Sequence, residues 1–265
     1  MTKGMPGADS STLVTSQIGG RNLIDLATEV FGTTPVLWGR YFTSVSTTGV
    51  VEYRHLKENE ILRANNIRIL PIARQTKNVN GTVADGSADA TANVEDLIET
   101  FGADYLASQG GQVLMFLDVE GAPSLSAPYY RGWAATLVAH SQDFSGGKVT
   151  VLPCVYGTQA DDDTWNAVVA GVGPAVSFHG AWIARWRVSG CAELLDFDER
   201  IVRPRSLPSS FKILLWQFSN DCHGGPGNHW RERDMPNGIQ RAGCNRNANN
   251  IIDKCKEKVD RKSVV

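Results

Sequence analysis

The sharpest chemical feature of the sequence is Asp118-Val119-Glu120, a carboxylate pair that closes the apolar run QVLMFL. Side chains two apart in a strand point to the same face. Both carboxylates are therefore expected in one cleft, about 6–7 Å apart at Cα from the rise of a strand. Two like charges in a low-dielectric cleft do not both ionise freely, so one carboxyl stays protonated toward neutrality. A protonated carboxyl beside an ionised one can cleave a glycosidic bond. The acid protonates the leaving oxygen, and its partner attacks the sugar or steadies the oxocarbenium-like charge. A D-x-E also arises by chance, and strand-end carboxylates often cap loops. The elements around the pair have to decide.

Those elements alternate. Strand-like runs are NLIDLA (22–27), VLWGRYF (36–42), IRILPIARQ (67–75), QVLMFLDVEG (112–121) and KVTVLPCVYG (148–157), then GAWIARW (180–186) and KILLWQFSN (212–220). Helical spacing marks LKENEILRANN (56–66), SADATANVEDLIETFGA (87–103) with Ser87 as its cap, SAPYYRGWAATLVAHSQDF (126–144) and DDDTWNAVVAGV (161–172). The body of the run 112–121, VLMFL, is continuously apolar, as suits a strand covered on both faces. Strand and helix in alternation predict a parallel sheet with helical crossovers. Five such units followed by a strand-rich end fit an α/β TIM-like barrel, (β/α)5β3, better than an open sheet. No GxGxxG, Walker, HExxH, CxxC or GxSxG motif is present, so no nucleotide, metal or serine-hydrolase chemistry is indicated.

The expected organisation is a flexible leader at 1–20, a barrel at 21–250 and a C-terminal basic helix or tail at 251–265, with 221–250 largely loop. The chain has 265 residues with a formal charge of −2, 42% hydrophobic and 20% charged residues, ordinary for a globular protein and giving no reason to expect nucleic acid as partner. No apolar run reaches the roughly 20 residues that cross a bilayer. The first residues lack the apolar core of a Sec signal. The expectation is synthesis in the cytoplasm and, for action on a cell wall or periplasm, export by a non-Sec route. Five cysteines are too few and uneven for a disulfide framework; Cys222 and Cys244 flank a Gly/Pro-rich loop and could pair in an oxidising compartment, the alternative being free, partly buried thiols. Cys222, His223, His229 and Cys244 match no standard zinc spacing, and Asp161-Asp162-Asp163 reads as an acidic helix start. No metal site and no cofactor are expected.

In a barrel of this kind the active site lies at the carboxyl ends of the strands. The expected lining is Asp25, Arg40, Tyr41, Arg74, Gln75, Asp118, Glu120, Tyr156, Trp182, Arg185, Trp186, Trp216 and Gln217. Trp182 and Trp186, four apart, are expected to share a face, and one of them offers a platform for a sugar ring or packs under the rim.

The order LIDLA, GRYF, ILPIARQ, FLDVEG, CVYG, WIARW, LLWQFS resembles the lysozyme-type family 25 glycoside hydrolases and the glycoside-hydrolase-like TIM-barrel domains related to them. The resemblance spans roughly residues 22–220. It implies a (β/α)5β3 barrel acting on peptidoglycan as a muramidase, with Glu120 as catalytic acid and Asp118 as its partner. Asp25 is then a sugar-subsite residue, with Tyr41, Gln75, Tyr156, Trp182, Arg185, Trp216 and Gln217 around the substrate. The family often closes with Asp-x-Asn near its last strand, and GCNRNANN puts Cys244 in that place. Such a hydrolase would suit a phage lysin or a delivered antibacterial effector, the latter with an immunity partner. The alternatives are a glycan-binding or scaffold barrel without turnover, and a hydrolase of another polysaccharide.

Overall fold

The computed structural model describes residues 5–10, 13–17, 20–42, 56–74, 77–119, 123–189, 197–222 and 239–244; of 56–57, 187–189, 219–222 and 239–244 only the backbone is described. Eight strands close into a barrel in chain order. They are β1 (Met5–Asp9), β2 (Leu37–Phe42), β3 (Arg68–Arg74), β4 (Gln112–Asp118), β5 (Thr150–Thr158), β6 (Gly180–Ser189), β7 (Ile213–Cys222) and β8 (Ile239–Cys244). Strands β1 to β7 are parallel to their neighbours, and β8 runs antiparallel to both β1 and β7. Helices α1 (Leu23–Phe31), α2 (Leu56–Ala64), α3 (Val83–Phe101), α4 (Ala103–Ser108), α5 (Ala127–Phe144) and α6 (Asp162–Gly171) lie in the crossovers, and the one-turn α7 (Glu199–Val202) lies between β6 and β7. The expected α/β, TIM-like barrel is present. Its make-up departs from a strict five-plus-three: seven strands are parallel, and an antiparallel eighth closes the ring.

Strand alternation sorts the apolar residues into two cores. Leu70, Ile72, Phe116, Cys154, Tyr156, Trp182 and Ala184 pack together inside the barrel. Their neighbours Ile69, Ala73, Met115, Leu117, Val155, Ala181 and Ile183 pack outward with the helices. Helices α3 and α5 meet at backbone distance. A Cβ on Gly132 would lie 2.0 Å from the Val83 carbonyl oxygen, and one on Gly86 would lie 2.2 Å from that of Tyr129. Beside this contact the Tyr129 hydroxyl donates to Asp89 Oδ2 at 2.7 Å, and the Trp133 indole to Asn93 Oδ1 at 3.1 Å. Burial, reinforced by the Asp89 carboxylate, pushes the Tyr129 hydroxyl far above its ordinary pKa, so it stays a donor. Asn93 in turn donates to the Phe42 carbonyl at 3.3 Å, tying α3 to the end of β2.

Several expectations are corrected. Residues 1–20 are not simply a leader, because they contain β1. Its sequence, MPGAD, is made mostly of residues depleted in strands, so no propensity signal announces it. The run NLIDLA is the start of α1, not a strand. Asn22 caps it by accepting from the Ile24 and Asp25 amides, Leu23, Ile24, Leu26, Ala27 and Phe31 are buried, and Gly32 ends it at φ 69°. Helix α3 begins at Val83 with Thr82 as cap, five residues before the expected cap Ser87. Thr82 and Asp85 form a capping box, and the Thr82 hydrogen bonds hold the exposed Asp85 carboxyl below its ordinary pKa. The expected loop at 221–250 contains β8. Cys222 pairs across the ladder with Ile239, whereas Cys244 pairs with Leu215, seven residues back along β7. At strand rise the two cysteines are about 20 Å apart, which rules out the bridge. The proposed tail at 251–265 lies outside the described residues.

Two measurements check this architecture. Gly132→Ala should destabilise the fold by about 1–3 kcal/mol or more, because the new methyl must drive α3 and α5 apart; urea unfolding followed by circular dichroism reads it. Peptide mapping of the non-reduced protein should show no Cys222–Cys244 cross-link, even after aerobic purification.

Candidate active site

The inward positions at the carboxyl ends of the strands carry Asp9, Tyr41, Arg74, Asp118, Tyr156 and Gln217. Asp9 ends β1 opposite Gly39 of β2, and a Cβ on Gly39 would come within 2.6 Å of the Asp9 Cβ. The glycine therefore leaves the seat that the Asp9 side chain occupies. Asp9 is only 1% exposed, and Tyr41 Oη donates to its Oδ2 at 3.4 Å. The guanidinium of Arg74 lies over the Tyr41 ring, 5.5 Å from its centroid. Arg74 is the register partner of Asp118, and Asp118 of Tyr156. Two carboxylates, a guanidinium and a phenol thus share one rim.

Below and beside them lies an aromatic and amide floor. The Tyr156 hydroxyl donates to Gln217 Oε1 at 2.6 Å, and the Trp186 indole donates to the same oxygen at 3.1 Å. The Trp182 ring stands 4.6 Å from Tyr156 and edge-on to Phe116 at 5.7 Å. Its buried indole N–H has no hydrogen-bond partner among the described residues. Trp186, at the rim, is 47% exposed.

The expected residues therefore divide. Tyr41, Asp118, Tyr156 and Gln217 come together as anticipated. Trp182 is in the interior but fully buried, so of the two tryptophans Trp186 is the one that offers a ring face to solvent. Trp216 packs in the outer core, its indole donating to the Arg185 carbonyl at 2.9 Å, and is not at the mouth. Asp25 sits exposed in the first turn of α1 and not on a strand, because its segment is helical. The β1 carboxylate that sequence reasoning missed is Asp9. Its only local signal was an acidic residue ending a short small-residue run. Arg185 alternates with Trp186 and turns away from the barrel interior; its guanidinium donates to the Ile201 carbonyl and lines a neighbouring cleft. Cys244 stands at the opposite end of the barrel from the rim, paired with Met5, so it does not occupy a site position. The β4 ladder extends through the Val119 amide, which donates to the Tyr156 carbonyl at 2.9 Å. Gln75 and Glu120 lie outside the described residues. Among the described residues, no group of three or more His, Cys, Asp or Glu side chains is arranged to hold a metal ion, and no helix is long and apolar enough to cross a membrane.

No protein-family model matches the chain, and no curated protein matches it. Among solved structures, the chain is similar to an uncharacterized B. stearothermophilus protein, at 20% identity and a TM-score of 0.61, covering 92% of this chain and 97% of the other. That likeness extends to the whole fold. A GH26 domain from a Prevotella bryantii endo-β-mannanase/endo-β-glucanase matches at 10% identity and a TM-score of 0.37, over 71% of this chain and 69% of that one.

The rim is braced from outside the barrel. Arg40, which follows Gly39 and so faces the helices, forms a buried ion pair with Glu58 of α2 and donates to the Ser10 carbonyl at 3.4 Å. The other Glu58 oxygen accepts from the Val14 amide at 2.7 Å. One carboxylate and one guanidinium thus fasten the segment after Asp9 to α2. Arg40 is 2% exposed and Glu58 fully buried. Glu58→Gln should therefore lower stability in denaturant unfolding by about 1–3 kcal/mol, because it removes the negative partner of a buried ion pair. Replacing both residues with Met should cost less than the sum of the two single changes.

Proposed function

We propose that the barrel is a glycoside hydrolase of the lysozyme-like kind, cleaving β-1,4 bonds in a peptidoglycan-type glycan, with Glu120 as general acid and Asp118 as its carboxylate partner. The observation that carries the reading is the shared rim of Asp118, Asp9, Arg74 and Tyr41 at the carboxyl ends of adjoining strands. This is where barrel enzymes concentrate their chemistry. An exposed Trp186 ring beside that rim gives a face on which a pyranose can stack. Tyr156 and Gln217 present a fixed hydroxyl–amide pair under it, of the sort that orients sugar hydroxyls or an acetamido group.

In this mechanism Glu120 gives its proton to the glycosidic oxygen as the bond lengthens, then takes one from water. Asp118 either attacks the anomeric carbon or orients the substrate acetamido group for that attack. Asp9, held by Tyr41, adds negative charge near the developing oxocarbenium ion. Arg74, over the Tyr41 ring and in register with Asp118, adds a positive charge beside both. The bond breaks heterolytically, and the chain's own carboxylates handle the proton.

The test is digestion of purified peptidoglycan, with new reducing ends and product masses as the readout. Glu120→Gln should lower turnover by about 10²–10⁴-fold while substrate binding persists. Asp118→Asn should lower turnover and shift the acidic arm of the pH profile as well. Full activity in Glu120→Gln would refute the carboxylate-pair mechanism. Binding without release of reducing ends by the wild type would instead make the barrel a glycan-binding protein.

A further inference from the structure

Next to the rim, on the same end of the barrel, lies a second cleft of about 500 Å³. Its walls are the turn after β5 (Gln159, Ala160) with Asp162 at the start of α6, Arg185 of β6, and α7 with the segment behind it. Four of its lining side chains are Arg185, Arg200, Arg203 and Arg205, against one lining carboxylate, Asp162.

What holds these guanidinium groups matters more than their number. Arg185 donates to the Ile201 carbonyl, and Arg203 donates to the Pro208 carbonyl at 2.7 Å. Carbonyls aim a guanidinium without cancelling its charge. Arg200 grips Asp198 with two hydrogen bonds, at 3.1 and 2.9 Å, and Arg203 also pairs with Glu199. Arg185 and Arg205 have no carboxylate partner among the described residues. Asp162 is itself engaged, accepting from Ser206 Oγ at 2.9 Å. Against Asp162, Asp198 and Glu199 the four arginines leave one positive charge in excess among the described residues, and Arg185 and Arg205 both line the cleft. The walls are cross-braced as well. The Gln159 amide donates to the carbonyls of Ile201 at 2.7 Å and Arg203 at 3.3 Å, so the β5 turn and the α7 segment are held together by the chain itself.

We infer that this cleft is an oxyanion-binding site, taking carboxylate or phosphate groups carried by an acidic glycan. The planar fork of arginine matches both groups and forms paired, charge-assisted hydrogen bonds. The oxyanion part stands on the cleft alone. The glycan part rests on the hydrolase reading: the cleft is walled by the segments that follow β5 and β6, at the same end of the barrel as the rim.

Calorimetric titration of the full chain at low salt tests it with three probes: an oligogalacturonate for carboxylates, a glycerol-phosphate oligomer for phosphates, and a neutral chitooligosaccharide. At least one acidic probe should bind, more weakly as salt is added. The double variant R185Q/R205Q should lose about tenfold or more of that affinity, with chitooligosaccharide binding unchanged. R205Q alone, which removes no hydrogen bond to a described residue, should show part of the loss in a protein of unaltered thermal stability. Whichever acidic probe binds identifies the anion. Failure of both acidic probes to bind the wild type, or equal binding by the R205Q and double variants, would overturn the inference. Acidic probes that bind while the neutral one does not would leave the oxyanion site standing and count against the hydrolase reading.

Discussion

The structure depends on the two-residue period of a pleated strand inside a closed ring. Once β8 seals β1 to β7, each strand residue faces either the barrel interior or the helices, with no third choice. Both destinations are dry over most of their height, so strand segments such as VLMFL are apolar at every position. On β1 to β4 the last inward position, where the interior opens, carries a polar side chain. This is why Asp9, Tyr41, Arg74 and Asp118 meet, although 109 residues of chain separate the first from the last. Closure also fixes the floor: Tyr156, Trp182 and Phe116 fill the interior directly beneath, so nothing entering from the rim can pass through.

The parallel strands with continuous apolar bodies were legible from sequence, and so were most crossover helices. Strands β2 through β7 were read near their observed positions, because a run such as QVLMFLD between Gly-rich turns has few other structures open to it. The ends of the ring were not legible. MPGAD has almost no β-branched or aromatic content, and its place in the sheet comes from pairing on both sides, a tertiary effect. β8 lies in a Gly/Asn/Arg-rich stretch for the same reason. With β1 unseen, the nearest apolar run, NLIDLA, stood in for it. A helix and a strand of five or six apolar residues look alike unless the cap is weighed, and Asn22 with Gly32 was the deciding signal.

That one exchange explains much of what was right and wrong about the site. Displacing the first strand moved its carboxylate from Asp9 to Asp25, which is an exposed helix residue. The residues on β2, β4, β5 and β7 needed no such correction, since parity within a correctly found strand already sends Tyr41, Asp118, Tyr156 and Gln217 inward. Parity also separates near neighbours that the sequence grouped together. Trp216 and Gln217 are adjacent, yet one packs against helices and the other hydrogen-bonds Tyr156 inside the barrel. Arg185 and Trp186 divide in the same way, one to the basic cleft and one to the rim.

Strand β2 shows how tightly the period ties stability to the site. Gly39 faces in and has no side chain, which leaves the volume that Asp9 fills. Arg40 faces out and, through Ser10 and Glu58, anchors the chain just beyond Asp9 to α2. Tyr41 faces in again and hydrogen-bonds the Asp9 carboxylate while stacking under Arg74. Three consecutive residues thus clear the seat, clamp the backbone and orient the acid, and no pair of them could exchange positions. A larger residue at 39 would evict the carboxylate although it lies in a different strand. An apolar residue at 40 would leave Glu58 as an uncompensated buried charge and release the segment that carries Asp9. Asp9 is therefore held by a neighbouring strand whose alternation serves the barrel core and the rim at the same time.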